Sequence, residues 1–130
     1  MWIVAKQTKP TQAELAILNA LWQLGPSTVR QVQQELESSR GTGYTTILKL
    51  MQIMLKKGLL KRDDSSHAHV YRAAATRGKT QKQLVVQLMD QVFEGSAQQL
   101  VMQALSTRKS TADELAQIKK LINDLKKGNK

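Results

Sequence analysis

At 130 residues, 41% of them hydrophobic, the chain has material for one compact domain and an extension, and too little for two large cores. It contains no cysteine, which excludes disulfides, thiolate metal sites and thiol nucleophiles together. Twenty basic against ten acidic side chains favour a polyanionic partner, and the charge is concentrated, with nine basic and two acidic side chains in residues 41 to 82.

The opening MWIVAKQTKP has too short an apolar run for a signal peptide, and nothing further on has the length of a membrane span, so a cytoplasmic location is expected. Pro10, Thr11 and Glu14 then make a capping-box start. Leu15, Leu18, Leu21 and Trp22 recur at helical spacing, which predicts a first helix to about Leu24 with Trp22 sealing it against its neighbours. The sequence assigns no such role to Trp2. Gly25-Pro26 ends this helix, and Ser27 or Thr28 caps a second through Val29, Val32 and Leu36.

Residues 37 to 43 are polar and contain two glycines, so they read as a loop. Gly41-Thr42-Gly43 raises the prospect of a phosphate cradle, but a nucleotide loop needs a lysine directly after its glycines, or a strand, a full glycine fingerprint and a later acid. Here Tyr44, Thr45 and Thr46 follow, and the first lysine is Lys49. A third helix is predicted from Tyr44 or Thr45 to Gly58, with Ile47, Leu48, Met51, Met54 and Leu55 inward and Thr46, Lys49 and Gln52 outward. One of Thr45 and Thr46 is expected to cap it while the other faces out.

The stretch KRDDSSHAHVYRAA predicts two short strands about a turn at Asp63 to Ser66, with Ala68 and Val70 alternating against His67, His69 and Tyr71. Three helices and a hairpin describe a winged helix-turn-helix, a mainly α fold with a small β-hairpin. In such a fold the threonine-rich start of helix three meets phosphates and base edges, and the hairpin lies along the backbone or a minor groove. The candidate DNA-binding residues are Tyr44, Thr45, Thr46 and Lys49 on helix three, and Lys61, Arg62 and Arg72 on the hairpin, with Arg77 just beyond. Helix three has no arginine for bidentate guanine reading, so specificity would rest on threonine, glutamine and lysine contacts plus DNA shape. His67 and His69 lack a third ligand and make a poor metal site; they edge the wing, where either can donate to phosphate. No catalytic set, metal site or cofactor motif is found, and no enzymatic activity is expected.

From Lys79 the helical pattern returns with Leu84, Val85, Leu88, Met89 and Val92, then Leu100, Val101, Met102 and Leu105. Gly95-Ser96 between them is either a close-packing point or a break. A last helix starts at Thr111, with Glu114 completing a second capping box, and carries Leu115, Ile118, Ile122 and Leu125 as one stripe. Such a helix is marginal alone and its stripe wants a partner. The expected organisation is a winged-helix domain over residues 1 to 77 and a helical dimerisation region over 78 to 130. Leu84, Leu88, Val92, Leu100, Val101, Leu115, Ile118, Ile122 and Leu125 are its candidate interface residues.

The stretches PTQAELAILNALWQLGPSTVRQVQQEL, GYTTILKLMQIMLKKGLLKRD and HVYRAA, in that order and spacing, resemble the penicillinase-repressor family of bacterial transcription factors over roughly residues 8 to 125. The resemblance implies a homodimeric repressor on an inverted-repeat operator of double-stranded DNA, with the YTT opening of helix three at the operator. It also implies relief of repression by proteolysis in the dimerisation region, under a membrane-bound metallopeptidase sensor. Where the best-known members present asparagine followed by phenylalanine at the cleaved bond, this chain has Gln103-Ala104. The cysteine-rich tail of the copper-responsive branch is absent. Two other readings remain for a basic winged helix: a protein-docking module and a non-specific chromosomal protein.

Overall fold

The computed structural model describes residues 9 to 128. The opening run and Trp2 lie outside the described residues. In chain order the elements are α1 (Gln12–Leu24), α2 (Val29–Arg40), α3 (Tyr44–Lys57), β1 (Leu60–Asp63), β2 (Val70–Ala73), α4 (Arg77–Val92), α5 (Ala97–Thr107) and α6 (Ala112–Gly128). Two compact units result, one ending at Leu84 and one beginning at Val85, with the division inside α4.

In the first unit the helix boundaries follow from local chemistry. The Thr11 hydroxyl accepts the Glu14 N–H while the Glu14 carboxylate accepts the Thr11 N–H, closing the capping box of α1. Thr28, not Ser27, caps α2, through the same reciprocal exchange with Gln31. At the end of α3, Gly58 adopts φ 83°, a left-handed conformation that side chains resist, and its N–H and that of Leu59 satisfy the last carbonyls of the helix. The core is built from Ile17, Leu18 and Leu21 of α1, Val29, Val32 and Leu36 of α2, and Ile47, Met51 and Met54 of α3, closed by Leu60 and Tyr71 of the hairpin.

The hairpin is antiparallel, with Leu60 opposite Ala73, Lys61 opposite Arg72, Arg62 opposite Tyr71 and Asp63 opposite Val70. Its phase differs from the expected one. Tyr71 is only 1% exposed and faces the core, while His67, Ala68 and His69 belong to the connecting loop. The cause is a third strand position: Ser27 exchanges two backbone hydrogen bonds with Tyr71, at 2.8 and 2.9 Å. This bridge fixes which side of β2 meets the helices, and period-two alternation then puts Arg72 outside. Trp22 is half-buried, and its indole N–H donates to the Ala75 carbonyl at 3.0 Å, tying α1 to the segment after β2.

The second unit holds the end of α4, then α5 and α6. Gly95 (φ 78°) and Glu94 (φ 53°) mark a true break after Val92, and Ser96 caps α5. Thr111 and Glu114 exchange capping hydrogen bonds at the start of α6. Neither α5 nor α6 contains a buried residue. Val92, Met102, Leu121 and Leu125 are all more than half exposed. No helix among the described residues is long and apolar enough to cross a membrane.

Candidate nucleic-acid interface

Helix α3 presents an outward face made of Thr45, Thr46, Lys49, Gln52, Ile53 and Lys56, all exposed, opposite the buried Ile47, Met51 and Met54. No acidic residue interrupts it. The helix is capped by the Gly43 backbone without any side-chain hydrogen bond, so the expectation that one threonine caps it is corrected. With Gly43 extended at φ −77°, ψ 168° and supplying the cap position, neither hydroxyl lies where it could accept from the first-turn N–H groups.

Both ends of α3 are fastened. At its start, the amide of the buried Gln33 on α2 donates to the Thr42 carbonyl at 3.3 Å. At its end, the Lys57 ammonium donates to Glu14 at 2.8 Å, and Glu14 is 2% exposed. Burial by itself would raise the Glu14 carboxyl; the hydrogen bonds from Lys57 and Thr11 and the lysine charge outweigh it and hold the group below its ordinary 4.5. Lys57 is therefore a structural tether, whereas its neighbour Lys56 makes no ion pair among the described residues. The Lys57–Glu14 partnership was not legible from sequence, because 43 residues separate the two and no local pattern links them.

On the hairpin, Lys61 and Arg72 stand directly opposite each other on the outward side of the sheet. Like charges so placed repel each other, and an anion bound beside them would relieve that repulsion. Arg62 is on the other side of the same strand and pairs with Asp64 at 2.7 Å, so its charge is partly spoken for within the wing. Asp64 also accepts from His69 Nδ1 at 2.8 Å. The Ser65 N–H donates to Asp63 at 2.9 Å and, as the main cause, holds that carboxyl below its usual range. The two histidines thus do not share a strand face, and no group of three or more metal-ligating side chains occurs among the described residues.

Tyr44 is 39% exposed, and the Arg30 guanidinium of α2 lies over its ring at 4.9 Å from the centroid. Arg30 was not among the candidates: it sits alone on the polar face of α2, and only the folded position of Tyr44 singles it out. Arg77, by contrast, opens α4 with its guanidinium 5.7 Å from the Trp22 ring. It lines a groove with Gln23 and Glu35.

Compared with known proteins, residues 10–124 match the family described as penicillinase repressor. The chain belongs to the penicillinase repressor family. A transcriptional regulator, BlaI, from Mycobacterium tuberculosis is 28% identical over 127 residues, covering 97% of this chain and 91% of the relative. The penicillinase repressor of Staphylococcus aureus is 19% identical over 94% of this chain and 97% of its own length. Among solved structures, a MarR family protein from Bacillus stearothermophilus covers 93% of this chain and 76% of its own, at 17% identity and a TM-score of 0.49. Penicillinase repressors are winged-helix DNA-binding transcriptional regulators and not enzymes.

Proposed function

We propose that the chain represses transcription in the cytoplasm by binding, as a homodimer, an inverted-repeat operator in double-stranded DNA. The observation that carries the reading is the outward face of α3, free of acidic side chains and held at both ends by Gln33 and Lys57. On it, Thr45, Thr46 and Gln52 are the base-edge readers, and Lys49 takes a phosphate. Tyr44 flanks the entry of the helix into the groove. Lys61 and Arg72 on the outer side of the wing bind a second stretch of backbone, which relieves their mutual repulsion; Arg62 supports the wing through Asp64.

The second subunit attaches through the helical region. Leu84, Leu88 and Val92 of α4, Leu100 and Val101 of α5, and Leu115, Ile118, Ile122 and Leu125 of α6 supply apolar surface that these helices do not bury within one chain. A regulatory protease of the kind implied by the family, acting under a membrane-bound sensor, would have to open α5 first, because Gln103 and Ala104 lie within that helix. Proteolytic subsites bind extended chain, so induction by this route requires local unfolding.

The test is binding of the full-length protein to genomic fragments at two salt concentrations with excess competitor DNA. Selection of one inverted repeat supports repression at an operator. Equal binding to every fragment would make the chain a non-specific DNA-binding protein, and no binding at low salt would turn the winged helix into a protein-docking module.

A further inference from the structure

Between α2, the start of α3 and the wing loop lies a cleft of about 460 Å³, lined by Arg30, Tyr44, Leu48, His67, His69 and Tyr71 among others. No carboxylate lines it. Arg30 is exposed and forms no ion pair among the described residues. Its guanidinium carbon lies 4.9 Å from the centre of the Tyr44 ring, a cation–π contact that leaves its N–H donors without a side-chain hydrogen bond among the described residues. His67 is likewise exposed and makes no ion pair among the described residues.

We propose that this cleft is a subsite for one DNA backbone phosphate, built by Arg30, Tyr44 and His67 and made responsive to pH by the wing histidines. The assignment rests on the operator reading and extends it to residues on α2 and the wing loop. The cleft adjoins Tyr44, the first residue of α3, so a strand flanking the groove that α3 reads runs past it. The charged and titratable groups around the histidines are Arg30 from α2, Tyr44 from α3, Arg62 from β1, Asp64 from the loop and Tyr71 from β2. The one carboxylate among them, Asp64, is already shared between Arg62 and His69, at 2.7 and 2.8 Å. An incoming phosphate therefore meets net positive charge and no competing acid. His69 holds the loop through Asp64 and so presents His67. A neutral His67 offers one N–H donor, and the imidazolium form adds a charge that a phosphate can use.

Log affinity for duplex DNA is to be measured against log salt at pH 7.5 and 6.0, for the full-length chain and for its Arg30→Gln, Arg30→Lys and His67→Gln variants, with thermal melts to check folding. Arg30→Gln should lower the slope by about 0.9 at both pH values and weaken binding about tenfold at low salt. Arg30→Lys should keep most of the slope. The wild type should gain several-fold in affinity from pH 7.5 to 6.0, and His67→Gln should remove that gain. An unchanged slope in Arg30→Gln, or an intact pH response in His67→Gln, overturns the subsite. Preference for one inverted repeat over competitor is scored separately: a preference that persists with no Arg30 effect sinks the subsite alone, and an Arg30 effect in a wild type that prefers no inverted repeat over competitor sinks the operator reading and leaves the subsite. A protein that binds no duplex overturns both. Perturbation of Arg30 and His67 resonances by millimolar inorganic phosphate, with no Arg30 effect on DNA, would make the cleft a free-anion site and also overturn the assignment.

Discussion

Thr46 stands in the first turn of α3 with an exposed side chain and no part in capping it, which separates two effects that usually travel together. Removal of a capping hydroxyl costs about 1 kcal/mol of stability, and that cost does not apply here. Thr46→Ala should leave the melting temperature within the small range typical of surface substitutions, while operator affinity falls about three- to tenfold, the worth of one net hydrogen bond. Non-specific affinity should hardly change. Equal losses on both kinds of DNA would reduce the hydroxyl to a backbone contact. Glu14 carries the opposite burden: buried, it affects stability and not recognition. Its carboxyl sits below its ordinary 4.5 in the folded chain, so its contribution is present above that value and lost as the pH falls through the folded-state value. Glu14→Gln should flatten the acid limb of the stability profile and cost about 1–3 kcal/mol near neutral pH, read by denaturant unfolding from pH 3 to 7. A variant with the wild-type acid limb would show that the Lys57 tether contributes nothing.

At the scale of elements, the wing makes the clearest demand, because Lys61 and Arg72 face each other across the two strands while Arg62 is engaged with Asp64. Replacing Lys61 and Arg72 together by glutamine should weaken binding to all duplexes and lower the salt slope by up to about 1.8, two phosphate contacts at about 0.9 each. It should also leave the hairpin as stable or more so, since the repulsion is gone. Arg62→Gln alone should change the slope less. A slope unchanged in the double variant would take the wing off the DNA. The elements themselves were largely legible: Thr11 with Glu14, Gly58, and Thr111 with Glu114 are local signals, and local hydrogen bonding is what sets helix ends. The phase of β2 was not, because alternation over four residues fits either face equally well and the choice was made by Ser27, 44 positions away in the chain. The same limit hid Arg30 and the double role of Glu14. Each depends on which residues meet across the fold, and a hydrophobic pattern carries no record of that.

At the scale of the whole molecule, the weakness of a single reading head matters. With no arginine on α3 to bind guanine through two hydrogen bonds, one winged helix would discriminate modestly, and the proposed operator would need two of them linked. The helical region has the surface for that link: α6 carries Leu115, Leu121, Ile122 and Leu125 at 46–58% exposure, on a helix that would be marginal by itself. Exposed apolar side chains in such number on one short helix are uncommon in a monomer and typical of an interface seen without its partner. A two-fold arrangement would bury them, and reading an inverted repeat would require two copies of α3 about 34 Å apart, or a multiple of that. Deletion of residues 109 to 130 removes α6 entire and leaves the core of the first unit, which ends at Leu84, untouched. The truncated chain should melt cooperatively, sediment as a monomer at micromolar concentration, and bind the full operator at least about a hundredfold more weakly, since the second half-site is no longer tethered. Its affinity for an isolated half-site should stay close to that of the full-length chain. A truncated chain that remained dimeric would move the interface to α4 and α5, and a full-length chain that sedimented as a monomer at tens of micromolar would mean that the two copies meet only on DNA.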